Sequence, residues 1–178
     1  KTLFSKDIEK AVEILKVLAG VYQTLYIIMG NHDYRLAKRL RGAFPIETLF
    51  EGIISRTGKD NIVFSPYAYL TLNKTWLVCH PHLYTCSPLN VAKRLSATHH
   101  KNIINGHEHH LAVGFDPSGK YVLVNSGCVV DTRRVEYKRI WSDDFPEWIK
   151  GFVHFYRGWP YLMPTGRKVT VPCSNEES

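Results

Sequence analysis

Thr24-Leu25-Tyr26-Ile27-Ile28-Met29-Gly30-Asn31-His32-Asp33-Tyr34-Arg35 is the stretch that decides the fold. The run from Thr24 to Met29 is nearly all apolar and reads as a fully buried strand that stops on Gly30. Just upstream, Ile8, Ala11, Val12, Leu15, Leu18 and Ala19 recur at helical spacing. That pattern predicts an amphipathic helix over residues 5–19, with Ser5 as N-cap and Gly20 as its stop. A helix feeding a buried strand is half of a β-α-β crossover, so the chain is expected to be an α/β protein.

Downstream, short helical pieces are expected at residues 36–40 and 46–52, on either side of Pro45. Residues 67–72 and 75–79, separated by Asn73-Lys74, read as a hairpin whose second strand ends on His80-Pro81-His82. A helix is expected over 88–97, with Pro88 in its first turn, and then a short buried strand, Asn102-Ile103-Ile104-Asn105. This strand delivers Gly106-His107-Glu108-His109-His110. The rest reads as strand: a hairpin of 111–115 and 121–125 around Asp116-Pro117-Ser118-Gly119, then 135–141 and 151–156. Residues 1–164 are taken as a single domain and 165–178 as a polar tail.

Size and composition fit a globular domain: 178 residues, 44% hydrophobic and 22% charged. No apolar run reaches the roughly 18 residues needed to cross a bilayer, so no membrane partner is expected. Lys1-Thr2-Leu3-Phe4-Ser5 has no apolar targeting core and reads as an internal cut. The net charge is +7, with basic residues grouped at Arg35, Lys38, Arg39 and Arg41 and again at Arg133, Arg134, Lys138 and Arg139. Such a field attracts phosphates, although the second group's spacing also fits a solvated strand face. Cys79, Cys86, Cys128 and Cys173 lack metal or disulfide spacing and are expected as free thiols in the cytoplasm, Cys79 as a small buried hydrophobe.

Asn31, His80 and the pair His107/His109 each follow a short hydrophobic strand, so all of them can gather at one sheet edge. Open α/β sheets place ligands beyond the carboxyl ends of their strands. Imidazole suits borderline divalent metals and an amide oxygen a harder one, a mixture that favours Mn, Fe or Zn over Ca. Each piece also has a plainer reading: a bare turn for Gly30-Asn31-His32-Asp33, a capped strand end for His80. The His107/His109 pair is harder to explain by packing. His99, His100 and His154 lack the strand-end context and are assigned to surface or core. Trp141, Trp148, Trp159 and Tyr161 are read as core residues before cleft residues.

Gly30-Asn31-His32-Asp33, the strand-terminal His80 and Gly106-His107-Glu108-His109 together resemble the last three motifs of the calcineurin-like metallophosphoesterases, over about residues 5–140. Val124-Asn125-Ser126-Gly127 is similar to the segment that follows in small bacterial and phage members, whereas Pro81 stands where the family usually has Gly. The resemblance implies a four-layer αββα sandwich of two mixed sheets and two divalent metal ions, Mn first, with Fe, Zn or Ni as alternatives. Asn31, His80 and His107 would then hold one ion and His109 the other. His32, oriented by Asp33, would be the catalytic acid, and Arg35 would contact substrate. A metal-activated hydroxide would hydrolyse a phosphomonoester or phosphodiester.

The family's DxH and GDxxD motifs have no counterpart at Asp7, Asp60, Asp116 or Asp131, so a first β-α-β portion is expected to lie upstream. The substrate class is a phosphorylated small molecule or a nucleic acid. A nuclease acting on DNA or RNA is one rival reading, and a catalytically degenerate scaffold of the same fold is the other. Oligomeric state is left open.

Overall fold

A computed structural model describes residues 3–39, 44–130 and 148–165. The expected strand at 135–141, Leu40, Arg41, the basic group 133–139, Asp131, Trp141, Cys173 and the tail beyond Thr165 lie outside the described residues. Among the described residues the architecture is mixed α/β with three sheets and no barrel.

Helix α1 (Leu3–Val21) precedes β1 (Leu25–Ile28), followed by α2 (Asn31–Arg39), α3 (Ile46–Thr57) and β2 (Ile62–Ser65). β1 and β2 pair in parallel, Leu25 opposite Ile62, a crossover through α2 and α3 that is distinct from the one expected through α1. Next come β3 (Tyr69–Leu72), β4 (Trp76–Cys79), α4 (Asn90–His99), β5 (Asn102–Asn105), β6 (Leu111–Phe115) and β7 (Val122–Ser126). These strands form one five-stranded sheet in the order β3-β4-β5-β7-β6. β4, β5 and β7 are mutually parallel, and β3 and β6 close the two edges antiparallel. β8 (Gly151–Tyr156) and β9 (Trp159–Pro164) form a separate hairpin.

The core of the five-stranded sheet lies under α4, where Val91 and Ala92 are fully buried and Leu77, Cys79, Ala92, Ile103 and Leu123 form one cluster. Alternation along β4 and β5 explains it: Leu77, Cys79 and Ile103 are buried while Trp76, Val78 and Ile104 are only partly so. Cys79 is the buried small hydrophobe expected, and burial pushes its thiol up to about 12. The β3–β4 turn is also as expected, with Asn73 and Lys74 at φ 49° and 62°, the left-handed pair of a tight hairpin.

Several expectations need correction. α1 starts at Leu3, so Ser5 sits inside its first turn and does not cap it. Gly20 does not stop α1, because a helical glycine costs only about 1 kcal/mol and the Tyr22 N–H still reaches the Leu18 carbonyl. β1 is not fully buried: its described partner is β2 alone, and Tyr26 is 55% exposed. An apolar run reports hydrophobicity without reporting how many faces are covered. α2 begins at Asn31 rather than residue 36, and α3 runs on past Gly52 to Thr57, ending where Gly58 takes φ 64° and donates to Ser55. α4 begins at Asn90, with Pro88 outside it and Leu89 left-handed at φ 65°. Two strands were not expected at all. β2 is a four-residue strand with one short apolar run, and β9 carries Pro160 and Pro164, which argue against a strand.

Candidate metal centre

The register of the parallel strands builds the site. Cys79 on β4 lies opposite Asn105 on β5, so His80 and Gly106, the next residues of each chain segment, leave the sheet side by side. The Gly106 N–H donates to the Cys79 carbonyl at 3.0 Å, and the His80 N–H to the Ala68 carbonyl at 2.8 Å. β1 ends against the same edge, because the Met29 N–H donates to the Tyr67 carbonyl just before β3. Asn31, at the start of α2, is thereby carried onto His80: Nε2 of His80 stands 2.9 Å from Asn31 Oδ1. The two residues are 49 positions apart and belong to segments that end different sheets.

His107 joins them, its ring centroid 5.0 Å from that of His80. Gly106 makes room for His80, since a Cβ there would stand 3.3 Å from its Nδ1. His107 and His109 both adopt left-handed backbone conformations, φ 75° and 61°, uncommon for residues other than glycine. Such strain persists only where neighbours hold it in place. Here the neighbour is Glu108, fully buried between them. Its Oε1 accepts from the Thr85 amide at 3.2 Å and the Thr85 hydroxyl at 2.9 Å, and its Oε2 from Asn105 Nδ2 at 3.0 Å and Asn125 Nδ2 at 2.9 Å. Asn125 also donates to Asn105 Oδ1 and accepts the Leu89 amide. One carboxylate therefore ties the 106–110 loop to the 80–89 loop and to the ends of β5 and β7.

Burial is the first cause that pushes the His80, His107 and His109 imidazoles below the ordinary histidine value. Mutual repulsion is the next: His107 acts on His80, His82 acts on His107, and His107 acts on His109, which falls to about 4. His32 bears on all three, and Arg35 on His107. The three rings are thus neutral at pH 7, the form that binds a cation without first releasing a proton.

Each candidate from the sequence can now be placed. Asn31 and His107 come together on His80, while His109, two residues further along the loop, sets its ring edge-on to the buried Trp148 at 4.1 Å and is reached by His107 and His80 only electrostatically. His109 Nδ1 is buried and finds no hydrogen-bond partner among the described residues. His32 and Arg35 are exposed on α2 and act electrostatically on His107. The Asp33 carboxylate does not hold His32: it turns back and accepts the Gly30 amide at 2.8 Å, capping its own helix. Trp159 and Tyr161 are 43% and 48% exposed, outside any core, while His154 lies at the surface.

Sequence reasoning passed over Glu108, and over His82, which packs edge-on to Tyr34 at 5.6 Å and acts on His107. His80-Pro81-His82 repeats the spacing of His107/His109, a signal that was there to be read.

The donor set can be tested against an ion. Two donors held cis at about 2.1 Å from one divalent metal stand about 3 Å apart, and two such imidazoles have centroids about 4.5–5.2 Å apart. The Asn31–His80 and His80–His107 spacings match both values. Among the described residues, however, no three His, Cys, Asp or Glu side chains form a group able to hold a metal. The described residues therefore offer two spacings compatible with an ion, and His109 Nδ1 without a partner, but not a complete ligand group. No family model, no curated protein and no solved structure matches this chain.

Proposed function

We propose that the protein is a dinuclear metal-dependent phosphoesterase, a hydrolase of phosphomonoester or phosphodiester bonds. The observation that supports this reading is the convergence of Asn31 and His107 on His80 at the ends of β1, β4 and β5, with the Asn31–His80 and His80–His107 spacings both compatible with a shared divalent ion. Asn31, His80 and His107 would hold one ion and His109 the other, with Mn ahead of Fe, Zn or Ni. The αββα sandwich of the calcineurin-like metallophosphoesterases goes with this proposal, the β1–β2 pair and the five-stranded sheet serving as its two sheets. A cytoplasmic location belongs to it too. The described residues contain no helix long and apolar enough to cross a membrane.

When bound, the ions supply a water acidic enough to attack at neutral pH and neutralise charge on the phosphoryl oxygens. The protein's own residues do the rest. His32, exposed at the first turn of α2 and within electrostatic reach of His80, His107 and His109, gives a proton or hydrogen bond to the leaving oxygen. Arg35, one turn further along α2, takes the non-bridging phosphate oxygens. The positive end of the α2 dipole points at the same place. Glu108 and its four donors keep the His107/His109 loop from relaxing.

Metal analysis, together with hydrolysis of 4-nitrophenyl phosphate and bis(4-nitrophenyl) phosphate in Mn, tests this reading. Metal uptake with turnover is expected; a folded, metal-loaded protein inert toward every phosphoester would refute it. Arg35, Lys38 and Arg39, all exposed on α2, favour a nuclease as the second substrate reading. Cleavage of DNA or RNA, with binding that weakens steeply as salt rises, would select it. Among the described residues no three-ligand group forms, and failure to take up any metal would select the degenerate scaffold.

A further inference from the structure

Residues directly opposite in an antiparallel pair share a face, so the register of β8 and β9 puts Phe152 with Met163, His154 with Tyr161, and Tyr156 with Trp159 on one side of the hairpin. All six are exposed, those other than His154 by 43% to 54%. The other side is anchored: Pro160 is buried, and the Phe155 ring stands edge-on to Trp76 of β4 at 5.2 Å. On the outer side Phe152, His154 and Tyr156 follow one another about 7 Å apart along β8. Trp159 carries the row of rings on to Phe115 at the end of β6, the two centroids 5.8 Å apart. The rim of this row is positive. Residues 149–165 contain no Asp or Glu. Arg157 Cζ lies over the Tyr156 ring at 5.3 Å, and Lys120 Nζ over the Tyr121 ring at 5.1 Å in the turn from β6 to β7. Asp116 is the acid of that turn, and its carboxylate is taken by the Ser118 amide and hydroxyl and by the Tyr121 amide.

We propose that this face binds single-stranded nucleic acid, its rings stacking on successive unpaired bases while Arg157, at the tip, takes a backbone phosphate. The inference goes beyond the phosphoesterase reading and needs neither metal nor turnover. Flat rings on a sheet meet the faces of bases, and those faces are open only where strands are unpaired. A rim without acids suits a polyanion. A second copy of the chain is a poorer occupant: two strands of six residues present about 200 Å², against about 800 Å² per partner in a stable interface. A bilayer is poorer too, because the middle of the face is the His154 imidazole beside the Tyr161 hydroxyl. A base satisfies such groups by hydrogen bonding, and acyl chains do not.

The probes are fluorescein-labelled oligo(dT) and oligo(U) of about 12 nucleotides and a duplex of the same length, added to the full chain in EDTA and followed by anisotropy. Saturable binding of a single strand is expected, about tenfold or more tighter than the duplex, and the stronger of the two oligomers tells DNA from RNA. Tyr161→Ala, a change outside the core, should weaken it about tenfold, and Tyr161→Phe, which keeps the ring, should stay within about twofold of the parent. Arg157→Asn gives the turn the Asn-Gly pair that two left-handed residues favour, so the hairpin persists. In that variant the slope of log affinity against log salt should become shallower by about 0.7. Failure of both single strands to bind would overturn the proposal, and so would a duplex bound as tightly as they are. Single-strand binding indifferent to Tyr161→Ala would place the contact on charge elsewhere and overturn it equally. Uptake by phosphatidylserine vesicles, or self-association, that Tyr161→Ala removes in a chain binding no oligonucleotide would assign the face to a membrane or to a second copy instead.

Discussion

Replacing Glu108 with alanine should test whether the histidine loop is held or merely happens to lie there. The carboxylate is fully buried and takes four hydrogen bonds, from the Thr85 amide and hydroxyl and from the side-chain amides of Asn105 and Asn125. Glu108→Ala strands three nitrogen donors; the hydroxyl can rotate away. A buried donor left without a partner costs about 1–3 kcal/mol, and water entering the vacated space offsets part of that, so a net loss of about 3–5 kcal/mol is expected. For a chain of this size the midpoint of thermal unfolding should fall by about 10 °C. Glu108→Gln keeps one acceptor oxygen but turns an amide toward Asn105 and Asn125, so it should recover only the Thr85 side, about half the loss. In each variant that still folds, Mn or Zn affinity measured by calorimetry should drop about 10–100-fold, because His107 and His109 lose the tie that holds them left-handed. Unfolding within about 2 °C of the parent, with metal affinity unchanged, would refute the argument.

His32→Ala should lower turnover by about 10²–10⁴-fold, with melting and metal affinity near the parent values, since His32 is exposed and holds no part of the core. Equal turnover in a steady-state assay would contradict its role. His80→Ala should abolish tight metal binding by calorimetry, as His80 is the residue shared by both short separations. The metal-free protein should lose stability on acidification. Burial, then repulsion from His107, pushes His109 down to about 4 in the folded state against about 6.5 for an ordinary histidine, so the unfolded chain binds more protons between them. Stability is then complete above about pH 6.5 and is lost as pH falls toward 4, by about 1–2 kcal/mol once solvent screening of this half-buried ring is allowed for. His80 and His107 act in the same direction. Urea midpoints that stay flat between pH 7 and 4.5 would show that the rings are not neutral in the folded state.

Period and turn chemistry were legible along the chain wherever one residue type forces one backbone. The apolar spacing of 5–19 is a helix, Asn73-Lys74 is a tight turn, and Asn102 to Asn105 is a buried strand carrying a histidine loop. β2 and β9 were not legible, one because four residues carry too little pattern, the other because its prolines are tolerated only through its pairing with β8. Sidedness was hidden as well: Tyr26 reads as core in a run of apolar neighbours, yet stands exposed because no described strand or helix covers it.

The candidate ligands divide the same way. Which side chains suit a divalent ion follows from their chemistry alone, so Asn31, His80, His107 and His109 stand out in the bare chain. Their meeting does not, because contact across 49 positions depends on a parallel register, Cys79 against Asn105, and on β1 ending beside β3. The role of Glu108 was likewise invisible: a glutamate between two histidines looks like a spacer until folding removes it from water. Burial and hydrogen-bond closure belong to the packed molecule, where distant segments exclude solvent together; residue order encodes them only through the whole fold.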